Sequence, residues 1–205
     1  LNLFDINKGK EDNYLTRDGE VYYHDNFMDA EDARHFAECL TEEIPWEHDV
    51  NIMFGKRIVT KRQVAWYGDE PYDYNYAGSK KVALPWTNNL LQLKTKIEVY
   101  TKETFNSCLL NYYKHGEEGM SWHSDNEKEL KREGTIASLS LGAVRRFDFR
   151  HRNTKEKISI QLSDGSLLLM KGKTQSYWQH QLPKTKKIKL PRINLTFRTI
   201  IPILV

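Results

Sequence analysis

Arg192-Ile193-Asn194-Leu195-Thr196-Phe197-Arg198 alternates polar and apolar residues without a slip, the period-two signature of a β-strand with one greasy and one wholly polar face. Two architectures accommodate such a strand. An antiparallel sheet with one wet face is the simpler, and alternation alone prefers it. In a barrel, the polar face lines the interior instead. Two features favour the barrel. The segment before the strand is a lysine-rich loop, whereas the polar face carries two arginines, the side chain suited to bidentate carboxylate binding. Inside a barrel, guanidinium groups without an anion are too costly to keep, and a dicarboxylate ligand satisfies both. The seven-residue strand spans roughly 20 Å at about 3.3 Å per residue, longer than a small diacid, so both arginines must lean inward or one must hold something else.

Upstream, segments 108–113, 136–141, 145–150, 157–162, 166–170 and 176–180 are short and β-prone, separated by Gly, Pro, Asn or charged turns, and the last strand is expected over 192–200. Many short strands at this spacing indicate a sandwich or barrel. Two helices precede them. One is expected from Asp29, a capping residue with Asp32 at the third helical position, and carries Ala33, Phe36, Ala37 and Leu40 on one face before Pro45. The other follows Pro85, capped by Thr87, with Leu90, Leu93, Ile97 and Tyr100 in one stripe. Helices followed by strands, without βα alternation, predict a mainly β, α+β chain: a jelly roll buttressed by N-terminal helices. Residues 1–20 lack a hydrophobic period and are expected to form a loose arm. Residues 21–205 form one domain, with helices and a lid over 21–105 and the jelly-roll core over 106–205.

At 205 residues, 39% hydrophobic and 29% charged, the chain can bury a core of its own. No apolar run reaches the roughly 18 to 20 residues that cross a bilayer, and no leader opens it, so no membrane partner is expected. The expected location is intracellular: cytoplasmic in a bacterium, nuclear in a eukaryote. Nothing demands more than a monomer. Cys39 and Cys108 lie far apart without a CxxC, which argues against a disulfide framework or a cysteine zinc site; both are expected to be buried thiols. A net charge of +3 is too small to announce a polyanion partner.

His123, Asp125 and His180 are the candidate metal ligands. A His-x-Asp pair followed at long range by another His is the sequence form of a facial triad, which leaves half of an iron coordination sphere open. Among seven His and 28 acidic residues one such pair arises by chance, and His24 also directly precedes Asp25. The setting decides. Asn111-x-Tyr113, Trp122-His123-Ser124-Asp125-Asn126-Glu127, Ile136-Ala-Ser-Leu-Ser-Leu-Gly142, Gln175-x-x-Trp178-Gln179-His180 and Pro191-Arg192-x-Asn194-Leu195-Thr196-Phe197-Arg198 together resemble the AlkB-type iron and 2-oxoglutarate dioxygenases in order and spacing, from about Val50 onward.

The resemblance implies a double-stranded β-helix and, as cofactors, Fe(II), 2-oxoglutarate and O2. His123, Asp125 and His180 become the iron ligands. Asn111, Tyr113, Arg192, Asn194, Thr196 and Arg198 become the 2-oxoglutarate pocket, with Arg198 also counted in the catalytic group. One arginine would pair with the distal carboxylate beside Tyr113 and the other would lie nearer the metal; the sequence leaves open which does which. The implied reaction is oxidative demethylation of N-alkylated bases such as 1-methyladenine and 3-methylcytosine in DNA, with RNA left open as a second carrier, and with release of formaldehyde, succinate and carbon dioxide.

Substrate contacts follow from the same resemblance. A base must leave its stack to be oxidised, and Tyr74 and Tyr76, in an aromatic-rich stretch from Trp66, match positions that cover it. Glu127 is the carboxylate expected to favour a cationic lesion, beside Asn126. Phe54, Gly55 and Lys56 resemble a finger wedged into a duplex, and Arg62 a lid arginine. Basic residues gather at Lys56, Arg57, Lys61 and Arg62, at Arg145, Arg146, Arg150, His151 and Arg152, and at Lys184, Lys186, Lys187 and Lys189, and are expected to meet phosphates. Lys186 and Lys187 match relatives that prefer duplexes, whereas the Trp66-Tyr67-Gly68 wording is closer to relatives that prefer single strands, so strand preference stays open. Other readings remain: the same machinery acting on a tRNA base, protein or lipid; a non-catalytic nucleic-acid-binding jelly roll; or a zinc hydrolase, which gives the two arginines no role.

Overall fold

The computed structural model describes residues 12–53, 56–76 and 79–201, and side chains outside 51–58 and 73–81. In chain order the elements are β1 (Glu20–His24), α1 (Ala30–Glu43), β2 (Glu47–Met53), β3 (Lys56–Gly68), β4 (Asp73–Tyr76), β5 (Ser79–Val82), α2 (Asn88–Thr101), β6 (Ser107–Tyr113), β7 (Met120–His123), β8 (Ile136–Gly142), β9 (Arg145–His151), β10 (Lys157–Leu162), β11 (Ser166–Lys171), α3 (Thr174–Tyr177), β12 (Trp178–Leu182) and β13 (Arg192–Arg198). A seven-stranded sheet runs β1-β11-β8-β13-β6-β3-β2, a four-stranded sheet runs β10-β9-β12-β7, and β4 pairs with β5. All strand pairings are antiparallel, as in a jelly roll.

Two apolar layers hold the sheets. On the outer face of the large sheet, Ala33, Phe36 and Leu40 of α1 and Leu90, Leu93 and Ile97 of α2 pack on Leu139, Leu169, Leu195 and Phe197. Between the sheets, Val21, Leu168 and Met170 meet Phe149, Ile160, Leu162 and Trp178. Strand β11 serves both layers, because its pleat sends Leu167 and Leu169 to the helices and Leu168 and Met170 to the opposite sheet. Strand β13 lies in the middle of the large sheet, and all seven of its residues are buried. The wet-face reading is therefore wrong and the barrel-interior reading right. Ile193, Leu195 and Phe197 face the helices, so the polar residues face the opposite sheet.

Both helices start where their caps predict. Asp29 accepts a hydrogen bond from the Asp32 N–H, and Thr87 from that of Leu90. Tyr100 departs from expectation: it is 47% exposed and lies edge-on to Phe27, so the buried stripe of α2 ends at Ile97. Residues 12–19, expected within a loose arm, are held. Asn13 Oδ1 accepts from the N–H groups of Leu15 and Val21, Leu15 joins the inter-sheet layer, and Arg17 O accepts from Trp178 Nε1 at 3.0 Å. Tyr14 and Leu15, adjacent in a polar stretch and both packed on this layer, leave no period to read. The segment expected as a strand over 176–180 begins as the short helix α3, and its strand runs two residues later. Cys108 is buried as expected, whereas Cys39 is only half-buried.

Candidate active site

Strands β7 and β12 pair so that His180 lies directly opposite His123. The two rings are 4.2 Å apart between centroids and nearly perpendicular. Beyond the end of β7 the chain turns, and the Asp125 N–H donates to Gln175 Oε1 at 2.9 Å, which fixes the loop. Asp125 Oδ1 then sits 3.6 Å from His123 Nε2 and 3.8 Å from His180 Nε2. One ligand atom from each residue lies within 4.8 Å of the others. His123 Nδ1 is 2.8 Å from the carbonyl of Ser121, which can only accept, so the proton is assigned to Nδ1 and the Nε2 lone pair is left for a metal. His24 and Asp25 form no rival site: His24 pairs with the Tyr100 hydroxyl and Asp25 with that of Tyr23.

The electrostatics suit a divalent cation. Burial, reinforced by His123, pushes the His180 ring down to about 3, so it is neutral and able to ligate at pH 7. Burial pushes the Asp125 carboxyl up, but Arg198, His180 and His123 outweigh it and hold the group below its ordinary range. Two imidazoles and one carboxylate, converging from one side, fit Fe(II) with room for further ligands.

The polar face of β13 meets this triad. Arg198 Nε is 3.7 Å from Asp125 Oδ2. At the other end of the strand, Arg192 is 2% exposed, donates to Ser140 Oγ at 2.9 Å and lies over the Tyr113 ring at 5.7 Å. Between them, Asn194 donates to Ser138 Oγ and accepts from Thr196. One cavity is lined by Asn111, Tyr113 and these four strand residues together with His123, Asp125 and His180. Burial lowers Arg192 to about 10, and its Nε has no partner. A buried cation with an unsatisfied donor fits an anionic ligand such as a carboxylate.

A larger cavity of about 250 Å³ shares His123, Asp125 and Arg198 with the first. Trp66, Leu109, Met120 and Leu130 give it apolar walls, and Asp49, Arg62, Asn126 and Glu127 give it polar ones. Glu127 Oε2 is buried there without a hydrogen-bond partner. Asp49 was invisible to sequence reading because its partner Arg62, 3.3 Å away, stands thirteen residues on and across a strand pair. Met120 and Leu130 carry no sequence signal, and Trp66 is one aromatic among many in its stretch.

Other expected contacts fare unevenly. Phe54 and Gly55 lie outside the described residues, and the side chains of Lys56, Arg57, Tyr74 and Tyr76 are likewise outside the description. Arg62 is buried and engaged with Asp49 and Asn111, so it is not a surface phosphate contact. The basic hairpin does not present a free positive face either. Arg146 chelates Asp148, Arg150 stacks on Trp122 at 4.3 Å, His151 pairs with Asp18 at 3.3 Å, and Arg152 donates to Ser124. Lys61, Lys184, Lys186, Lys187 and Lys189 are exposed. Arg145 is 1% exposed and donates to the carbonyls of Gly116, Glu118 and Pro183. Arg145→Met, which strands three carbonyls, is expected to lower stability by about 3 kcal/mol in urea titration; unchanged stability would contradict this structural role.

Comparison with known proteins agrees with the geometry. A family model described as the 2OG-Fe(II) oxygenase superfamily matches residues 20–198. Alpha-ketoglutarate-dependent dioxygenase alkB homolog 3 of Homo sapiens is 38% identical over 191 residues, covering 89% of this chain and 66% of that protein. The homolog of Mus musculus is 37% identical with the same coverage. DNA oxidative demethylase ALKBH2 of Bos taurus is 39% identical over 158 residues, covering 73% of this chain and 57% of that protein. The chain thus spans just under two thirds of the first of these relatives and less of the last. The solved structure of OsALKBH1 superposes with a TM-score of 0.62 at 18% identity, covering 90% of this chain and 100% of that one, a likeness of fold. Since the family match runs from the first residue of β1 to the last of β13, this chain belongs to the 2OG-Fe(II) oxygenase superfamily, and its likeness within it is to the AlkB type.

Proposed function

We propose that the chain is an oxidative demethylase of N-alkylated bases, 1-methyladenine and 3-methylcytosine, in DNA and also in RNA. The observation that carries this is the pairing of two cavities on one triad. The inner one is closed by arginines and suits a dicarboxylate, and the outer one has an aromatic wall and the unpartnered carboxylate oxygen of Glu127. The relatives named DNA oxidative demethylase support the choice of substrate.

When bound, iron with 2-oxoglutarate and O2 supplies the oxidant that hydroxylates the N-methyl carbon, after which the methyl is lost as formaldehyde. His123, Asp125 and His180 would hold the metal. Arg192, with Tyr113 beside it, would bind the distal carboxylate, because it lies at the end of β13 away from Asp125; Arg198 would orient the metal end. Burial of this face excludes bulk water. Trp66, with Tyr74 and Tyr76 of the β4–β5 hairpin as lid, would cover the extruded base. Glu127 would offer its free oxygen to a cationic ring, which its charge favours over the neutral parent base.

Oligonucleotides carrying 1-methyladenine or 3-methylcytosine, in single strands and duplexes, test this with purified protein, Fe(II) and 2-oxoglutarate. Loss of the methyl group by mass spectrometry is expected. Methylated strands left intact under conditions that consume 2-oxoglutarate would redirect the machinery to another substrate. Glu127→Gln is expected to raise KM for the methylated strand about tenfold, equivalent to ~1.4 kcal/mol, with 2-oxoglutarate KM unchanged. Equal KM in both forms would remove Glu127 from base recognition.

A further inference from the structure

Arg62 projects from β3 on the same face as Val64 and Trp66, toward the site. It is buried, and two atoms of its guanidinium are held in place. Nη2 donates to Asp49 Oδ2 at 3.3 Å, and Nε donates to Asn111 Oδ1 at 2.9 Å. A guanidinium is donor-only, whereas a side-chain amide has an acceptor end and a donor end. Holding Asn111 by its oxygen therefore turns its NH2 group away from Arg62. Asn111 lines the inner cavity between Leu109 and Tyr113, across from Asn194 on β13.

From this geometry we infer that Arg62 is a positioning residue for the cosubstrate: it locks the rotamer of the Asn111 amide so that its N–H donors are presented to 2-oxoglutarate. A flipped Asn111 would set nitrogen against the Arg62 N–H and point an oxygen at a dicarboxylate, two repulsions that the lock removes. Asp49 acts one step further out, fixing the guanidinium by its other nitrogen. The inference rests on reading the inner cavity as the 2-oxoglutarate site.

The test is calorimetric titration of 2-oxoglutarate into Mn(II)-loaded protein without nucleic acid, so that neither turnover nor base contact enters. Asn111→Ala is expected to weaken binding about tenfold, the loss of one buried hydrogen bond to a charged group. Removing Arg62 together with its carboxylate partner, as Asp49→Asn/Arg62→Met, avoids leaving one buried charge without the other, and the same loss is expected. In the Asn111→Ala background the pair should then add nothing, because Arg62 acts through Asn111. Asn111→Asp supplies a second arm that leaves Arg62 and Asp49 in place: it keeps an acceptor for Arg62 but puts an acceptor where the donor was, and a loss of tenfold or more is expected.

Wild-type affinity in the Asp49→Asn/Arg62→Met protein, full additivity with Asn111→Ala, or wild-type affinity in Asn111→Asp would overturn the proposal. Melting temperature and far-UV circular dichroism confirm that each variant is folded; if the double variant is not, Asn111→Asp decides alone. The underlying reading fails separately, and is recognised by Asn111→Ala and Arg192→Met both binding 2-oxoglutarate as wild type does.

Discussion

Asp125→Asn is expected to reduce Fe(II) affinity more than about 100-fold and to bring turnover below detection. Residues that merely support a metal ligand contribute about 10–100-fold, and Asp125 supplies the only carboxylate of the triad. Its charge also offsets the guanidinium of Arg198, 3.7 Å away, an attraction that the neutral amide would remove. An incoming divalent ion would then meet a site without the anionic ligand that now attracts it. Equilibrium dialysis against Fe(II) under argon measures the effect. An Asn variant that binds iron as tightly as wild type would remove Asp125 from the ligand set.

Arg192→Met is expected to act in opposite directions on two measurements. Binding of 2-oxoglutarate should weaken about a hundredfold, since truncating one partner of a buried, hydrogen-bonded charge pair costs about 3 kcal/mol. Without cosubstrate the same variant should be more stable than wild type by about 1–2 kcal/mol. The wild-type guanidinium is buried without a partner at Nε, its charged form is penalised by burial, and a methionine of similar length fills the space without that penalty. Urea denaturation with and without saturating 2-oxoglutarate shows both signs in one experiment. Loss of stability in both conditions would make Arg192 a structural residue of β13 and remove its assignment to the distal carboxylate.

How far the sequence carries depends on which side chains find partners close along the chain. Strand β13 was legible because its alternation is unbroken, and its two arginines made a wet face an uneasy reading; only the fold shows that the polar face is fully buried. Both helix starts were legible because a cap is a local contact, three residues long. The basic clusters misled for the opposite reason. Arg145, Arg146, Arg152 and His151 look like a solvent-facing charge run, and each is taken up by a carbonyl, carboxylate or hydroxyl that tertiary structure brings to it. Arg62 follows the same logic: its two partners, Asp49 and Asn111, are brought together only by the pairing of β2, β3 and β6. Strands β2 and β3 were missed because charged residues along 56–62 mask any period, although Arg62, Val64 and Trp66 line one cavity in strict alternation.

The most direct measurement is the stoichiometry of the reaction: succinate formed and methyl groups lost from a 3-methylcytosine oligonucleotide, followed together in wild type and in His123→Ala. The account predicts one succinate for each base restored in wild type and neither product in the variant. Base restored without succinate, or equal product from His123→Ala, would contradict it.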